Sequence, residues 1–402
     1  MPAPSRPVVV LNAHYTGLGI ARSLAALPVT VYGLTAETDT PARSSRDLHL
    51  VRSPDTERDP AAAADFLMQF AVQLKERPLL VPTRDHDVHF IMQQRARLET
   101  AYDLRMAPNE VLERILNKQA LFAVASSVGI HCPRSLDVSD DASLERALAE
   151  IAMPVVAKPL FSRDWRRPDV RRIVHKNKAF VLDSVVEVRK LFAMLQPLAP
   201  QLILQEFVPG ADDQLIVFGS YVDRNGVPRA HFTARKALQH PRVCGNGVAI
   251  RAERMPAEVT DTSLSLLRAL RYQGVSELEF KRDAATGCLA LIEMNARHWD
   301  QHRLSDAVGA SVTRAMHEDW LGLPPGRREQ SERCVTLIVE DAWLRGLADA
   351  VRGREGESAD FLRLLRPPLR GALWDAGDPR PFFSMVNDLR RRGRGTGRPR
   401  QK

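Results

Sequence analysis

The chain has 402 residues, 44% hydrophobic and 26% charged, which gives room for two or three domains and excludes a low-complexity or fibrous composition. No apolar run approaches the ~20 residues of a membrane span, residues Met1 to Pro7 show no secretory signal, and Cys132, Cys244, Cys288 and Cys334 are too scattered for a disulfide framework or a zinc site, so a cytoplasmic protein is expected. The net charge of +8 is uneven: seven cations and no acid fall in the last thirteen residues, so the body is near +1, the tail 390–402 reads as a disordered, solvated terminus, and nucleic acid is not an expected partner.

Pro7-Val-Val-Val-Leu11 reads as a buried strand, followed by a turn around Gly17-x-Gly19, a helix over Ile20 to Leu27 and a second strand over Val29 to Leu34. This is the opening of a parallel α/β unit. The glycines lack the third member of the dinucleotide fingerprint, although Glu37 and Asp39 lie about where a ribose-binding acid would stand; tight turn geometry is the better reading. A helix over Ala61 to Lys75, a short strand Leu79 to Pro82 and a helix over Val88 to Leu98 continue the unit. Asp85, His86 and Asp87 lie at the ligand-binding edge of such a sheet, and they equally suit helix capping.

Asn109 to Val128 reads as one helix carrying Lys118, stopped by Gly129 and Pro133; Ser143 to Glu150 is a further helix. Pro154 to Pro159 is a buried strand whose Lys158 follows Val-Val-Ala and precedes proline, which points its ammonium into a cleft where phosphates could be held. The segment Phe161 to Arg172 is rich in arginine and has no glycine; its guanidinium forks suit phosphate or an acidic substrate. Leu202 to Gly210 is a strand that breaks at Pro-Gly, with Glu206 at its end and Asp212 and Asp213 beyond. Asp223 to Gly226 is a hairpin turn, and the return strand His231 to Ala237 carries Lys236, which a solvated basic face would also explain.

After a helix over Glu258 to Leu270 comes the most informative stretch. Ser276-Glu-Leu-Glu-Phe-Lys281 and Leu291-Ile-Glu-Met-Asn-Ala-Arg297 both alternate, and Asp283 to Gly287 between them has hairpin composition. Folding about Thr286 brings Glu279 to Glu293, with Leu278, Phe280, Ile292 and Met294 covering one face. Two carboxylates and the amide of Asn295 are hard oxygen donors of the kind magnesium takes in small number, filling its shell from water and phosphates. His298, Trp299 and His302 just beyond suit either a pocket wall or core packing. Residues 324–389 read as a peripheral extension of short helices with one strand over Cys334 to Glu340.

This order of parts, a helix with one lysine, Gly-Ile-x-x-Pro, a strand ending Ala-Lys-Pro, then an acid followed by Glu-x-Asn-x-Arg, resembles the ATP-grasp superfamily over residues 8 to 322. Gly-Leu-Gly-Ile-Ala-Arg-Ser-Leu and Ala42-Arg-Ser-Ser-Arg46 look like the carboxylate–amine ligase branch that contains D-aspartate ligase. The resemblance implies an α/β (α+β) fold with a Rossmann-like N-terminal domain (1–106), two subdomains clasping the nucleotide (107–200 and 201–323), an extension (324–389) and the tail (390–402). It assigns Lys118 and Lys158 to ATP, the backbone of Glu206 and Val208 to adenine, and Asp212, or failing it Asp213, to ribose. Glu279, Glu293 and Asn295 would bind magnesium, or alternatively manganese. Arg297 would steady the acyl phosphate, and Lys236 would meet phosphate or substrate. The family's glycine-rich phosphate loop is missing here. The implied activity is amide-bond formation between small-molecule carboxylate and amine substrates through an acyl phosphate, with assembly as a homodimer left open. A catalytically degenerate ATP-binding scaffold, or a carboxylase or kinase type of ATP-grasp reaction, are the alternatives.

Overall fold

A computed structural model describes residues 6–395 apart from 38–39, 161–163, 176, 200, 327, 354–355 and 367. Strands β1 (Val8–Val10), β2 (Val31–Thr35), β3 (His49–Arg52), β4 (Leu79–Val81) and β5 (Asp103–Leu104) form a parallel sheet in the order β3-β2-β1-β4-β5. Alternate residues of β1 serve opposite faces: Val8 and Val10 pack with Leu18 and Ile20 of the first helix, while Val9 packs with Leu67, Phe90 and Ile91 of the next two. A sheet buried on both faces explains the unbroken valine run.

Strands β6 (Ser135–Val138), β7 (Val155–Pro159), β8 (Phe180–Leu182) and β9 (Leu202–Glu206) make a second, antiparallel sheet in the order β6-β9-β7-β8. Helices Asp141–Glu150, Pro168–Val174 and Val185–Leu195 cover it through Leu144, Val170 and Phe192. The third sheet holds β10 (Leu215–Val222), β11 (Pro228–His240), β12 (Asn246–Ala252), β13 (Gly274–Arg282), β14 (Leu289–Asn295), β15 (Val335–Ile338) and β16 (Leu369–Gly371), in the order β14-β13-β10-β11-β12-β15-β16.

Four sequence-based expectations change. The glycines of Gly17-x-Gly19 lie inside a helix that starts at Tyr15, not in a turn, and a Cβ on Gly19 would stand 2.6 Å from the His302 ring, so close packing requires glycine there. The helix expected over 109–128 is two, Asn109–Leu116 and Lys118–Ser127; Asn117 caps the second by accepting from the N–H groups of Gln119 and Ala120, both at 3.1 Å. The C-terminal extension is no peripheral unit: β15 pairs with β12 and widens the sheet. The helix Arg380–Gly395 runs through the first six residues of the tail expected to be disordered, and 396–402 lie outside the described residues. No helix among the described residues is long and apolar enough to cross a membrane.

Candidate active site

The site is built on the β13–β14 hairpin. Asp283 closes the turn by accepting from the backbone N–H groups of Ala285 and Thr286 at 2.7 and 3.1 Å, and Gly287 takes φ +74°, a left-handed value that glycine adopts without strain. The register sets Glu279 opposite Glu293 and Glu277 opposite Asn295, so the acidic pair meets across the strands as expected. The register then shifts between Glu279 and Phe280, so that Phe280 faces Leu291 and Ile292 is the extra residue of a bulge. Leu278, Phe280 and Leu291 are wholly buried while Ile292 is half-buried, which corrects the expectation that Ile292 shares their face.

Basic side chains from three other elements, and Lys178 from the loop before β8, surround this acidic pair. Lys236 on β11 is buried with Nζ 2.7 Å from Glu279 Oε2, and Lys118, at the start of its helix, has Nζ 3.6 Å from Glu293 Oε1. Lys158 on β7 donates to Gln205 Oε1 at 2.7 Å, and Gln205, itself buried, is held by Ser135 at 2.8 Å. Burial pushes the Lys158 ammonium well below its usual range, and the neighbouring Lys118 lowers it further. Burial alone would raise Glu293, but Lys118, Lys158, Lys178 and Lys236 overcome it and hold the carboxyl at about 2. For Lys236 burial likewise opposes the charge, and chiefly Glu279, 2.7 Å away, more than restores it, so its pKa is raised.

Two of these residues were not singled out by sequence reasoning. Lys178, just before β8, carries no signal in its neighbours. Glu277 had one, since it shares the i, i+2 face of Glu279. It is buried, Asn295 Nδ2 donates to its Oε2 at 3.0 Å, and burial together with Glu279 raises its carboxyl to about 8. Arg297 lies just past the end of β14, where Nη2 donates to Asn295 Oδ1 at 3.1 Å and Nε to Asp85 Oδ1 at 2.6 Å.

No protein-family model matches the chain. In sequence it is similar to D-aspartate ligase of Enterococcus faecium (strain Aus0004), 22% identical over 322 residues that cover 77% of this chain and 76% of the relative. Among solved structures it is similar to N5-carboxyaminoimidazole ribonucleotide synthetase in complex with ADP, with TM-score 0.64, 15% identity and coverage of 87% of this chain and 85% of that one. It is also similar to L-amino acid ligase from Bacillus licheniformis, with TM-score 0.57, 16% identity and coverage of 78% and 73%.

The chain has the ATP-grasp fold.

Within this ATP-grasp fold, the lysines of the second sheet and its leading helix face the acidic strands of the third. Glu206 is exposed at the end of β9, with its N–H on Arg134 O at 2.8 Å, and Val208 is buried. Asp212, expected to hold ribose, is buried and committed elsewhere: it accepts from Gln239 N, Gln239 Nε2 and Val243 N, each at 3.1 Å, and pairs with Arg242 Nε at 3.1 Å. Its work here is to fix the 240–245 loop, and the neighbouring Asp213 is the exposed acid.

In place of a glycine loop the segment after β7 packs Trp165 and Val170 into the core, and Arg166 Nη2 reaches Glu57 Oε1 at 3.2 Å; residues 161–163 lie outside the described residues. Its described arginines are thus tied to the N-terminal domain, through Arg166, or to Asp169, which Arg167 meets at 2.6 Å, or are exposed, as Arg171 and Arg172 are. Trp299 and His302 are core, Trp299 stacking on Phe232, whereas His298, buried and bonded to Thr313 at 3.1 Å, also lines a small pocket with Arg297. Asp87 is a helix cap, accepting from Arg84 N at 3.0 Å, whereas Asp85 belongs to the site through Arg297. Glu37 lines a small open cleft in the N-terminal domain with Asn12, Asp55 and Arg84, and Asp39 lies outside the described residues.

The donor set fits magnesium. Glu279 and Glu293 face each other with Asn295 one pair along, all oxygen donors. Among the described residues no three His, Cys, Asp or Glu side chains form a complete cage, so water and phosphate would supply the rest of the shell.

Proposed function

We propose that the chain is an ATP-dependent ligase that joins a small-molecule carboxylate to an amine through an acyl phosphate, releasing ADP and phosphate. The observation that carries this reading is the placement of lysines about the paired carboxylates: Lys236 stands 2.7 Å from Glu279, Lys118 stands 3.6 Å from Glu293, and Lys158 and Lys178 are near enough to help lower the Glu293 carboxyl. A polyanion is the natural complement of four lysines, and paired carboxylates beside them suit the divalent ion that accompanies nucleotide phosphates. The similarity to D-aspartate ligase and to L-amino acid ligase supports the ligase outcome.

Lys118 and Lys158 would hold the phosphates and Lys236 the transferred group. Glu279, Glu293 and Asn295 would hold magnesium, or manganese, which when bound offsets charge on the phosphates. Arg297, kept charged chiefly by Asp85 against the cost of burial, would bind the carboxylate and then the acyl phosphate. Positioned charge of this kind supplies most of the catalysis in phosphoryl transfer. The backbone of Glu206 and Val208 would meet adenine and Asp213 the ribose, since Asp212 is occupied.

The test is a screen with MgATP and hydroxylamine, which traps any acyl phosphate as a hydroxamate whatever the natural amine. D-Aspartate, the other D- and L-amino acids and bicarbonate serve as carboxylate donors, with Glu293→Gln as control. Hydroxamate and phosphate should form together with at least one amino acid and be lost in Glu293→Gln, whose circular dichroism should match the parent. Phosphate release with bicarbonate alone would indicate a carboxylase type of reaction. Release unaffected by Glu293→Gln would remove the metal role.

A further inference from the structure

Asp85 is the first residue of the helix Asp85–Leu98, at the C-terminal end of β4 in the parallel domain, yet its carboxylate reaches Arg297 of the third sheet at 2.6 Å. The helix does not need it, because Arg84 and Asp87 form the cap. A neighbouring acid, Glu57, is already engaged, with Arg166 Nη2 at 3.2 Å from one oxygen and His86 Nε2 at 3.6 Å from the other. Asp85 keeps 54% of its side chain exposed, and Arg297 is its side-chain partner among the described residues. That partner also holds Asn295, so an open carboxylate stands one guanidinium away from Asn295, which lies two residues beyond Glu293 on the same strand.

We propose that Asp85 receives the incoming amine, binding its ammonium form and taking its first proton. This rests on the ligase reading above. Arg297 is shared: when an acyl phosphate engages its guanidinium, Asp85 loses the counter-charge it has here and presents a bare carboxylate beside the electrophile. An ammonium is what that carboxylate then attracts. The amine therefore binds productively only after the carboxylate substrate, and then its acyl phosphate, has engaged Arg297. The ammonium gives one proton to Asp85, and the nitrogen lone pair forms the bond to the acyl carbon. The acyl C–O bond breaks toward phosphate, and the second proton leaves with the departing inorganic phosphate.

Hydroxylamine, neutral near pH 7.5, and L-lysine, a cationic amine, separate this role from its rivals. In the parent enzyme L-lysine should suppress hydroxamate formation, as competing substrate or as occupant of the amine site. Asp85→Asn should slow hydroxamate formation only several-fold but weaken that suppression roughly ten- to hundredfold, the scale of one charge-assisted hydrogen bond. Asp85→Ala should behave alike. Absence of suppression in the parent, or equal suppression in the variants, overturns the proposal. So does loss of hydroxamate formation in both variants, which would make Asp85 a positioning residue for Arg297. Absence of hydroxamate in the parent would instead remove the ligase reading itself.

Discussion

Glu277 keeps a proton at pH values where an ordinary glutamate has lost it, because burial and the neighbouring Glu279 raise its carboxyl to about 8 while Asn295 donates to one of its oxygens. A group that holds its proton more tightly in the fold than in the unfolded chain stabilises the fold fully below its unfolded pKa of about 4.5, and this contribution is lost as pH rises toward the folded value. Glu293 works in another window. Its carboxyl is lowered to about 2, so its contribution is complete above about 4.5 and disappears only in strong acid. Between pH 5 and 8 the slope from this acidic set therefore belongs to Glu277. Glu277→Gln is isosteric and cannot ionise, so its melting temperature without nucleotide or divalent ion should fall less from pH 5 to 8 than that of the parent. Buried His298 and His302, held neutral chiefly by burial, act with opposite sign but equally in both proteins, so the difference isolates Glu277. Parallel curves would show that its proton does not couple to folding.

At the level of elements, what was legible in the sequence follows from how local each signal is. The β13–β14 hairpin could be read because alternation, an Asp-to-Gly turn and two acids fall within about twenty residues. The bulge at Ile292 could not, since it shows only in the cross-strand pairing, where Phe280 comes to face Leu291. The break at Asn117 was hidden for a related reason: apolar residues continue at helical spacing on both sides, and a lone asparagine is a weak stop. The break nevertheless puts Lys118 at the first turn of its helix, where the helix dipole favours phosphate and the lysine can reach Glu293. Asn117→Ala should cost about 1 kcal/mol of stability through the lost cap. It should also raise the KM for ATP several-fold with a smaller effect on kcat, because fraying of this turn releases Lys118. Asn117→Asp, which still caps, should restore stability. An unchanged KM would mean that Lys118 does not depend on this break for its position.

Across the whole molecule, the chain is closed by contacts between its ends, which no window of sequence can show. Arg22, on the first helix and buried, donates to the carbonyls of Ala372, Leu373 and Asp378 at 3.1, 3.0 and 2.9 Å. Arg43 pairs with Asp388, while Phe382 and Met385 pack into the core shared by the parallel domain and the third sheet. The C-terminal segment is thus a strap that carries β15 and β16 at one end and grips the N-terminal domain at the other. Removing the guanidinium leaves three buried carbonyls without their donor, each costing on the order of 1 kcal/mol or more. Arg22→Ala should therefore lower the unfolding free energy by about 3 kcal/mol. Arg22→Lys should recover little of it, because one ammonium cannot reproduce the fork that spans three acceptors. Asp388→Ala, which breaks a half-exposed ion pair, should cost less than about 1 kcal/mol. If the strap also sets the cleft, Arg22→Ala assayed well below its melting temperature should lose affinity for the amine more than for MgATP, since Asp85 and Arg297 come from the two parts it joins. Equal loss for both would confine the strap to stability.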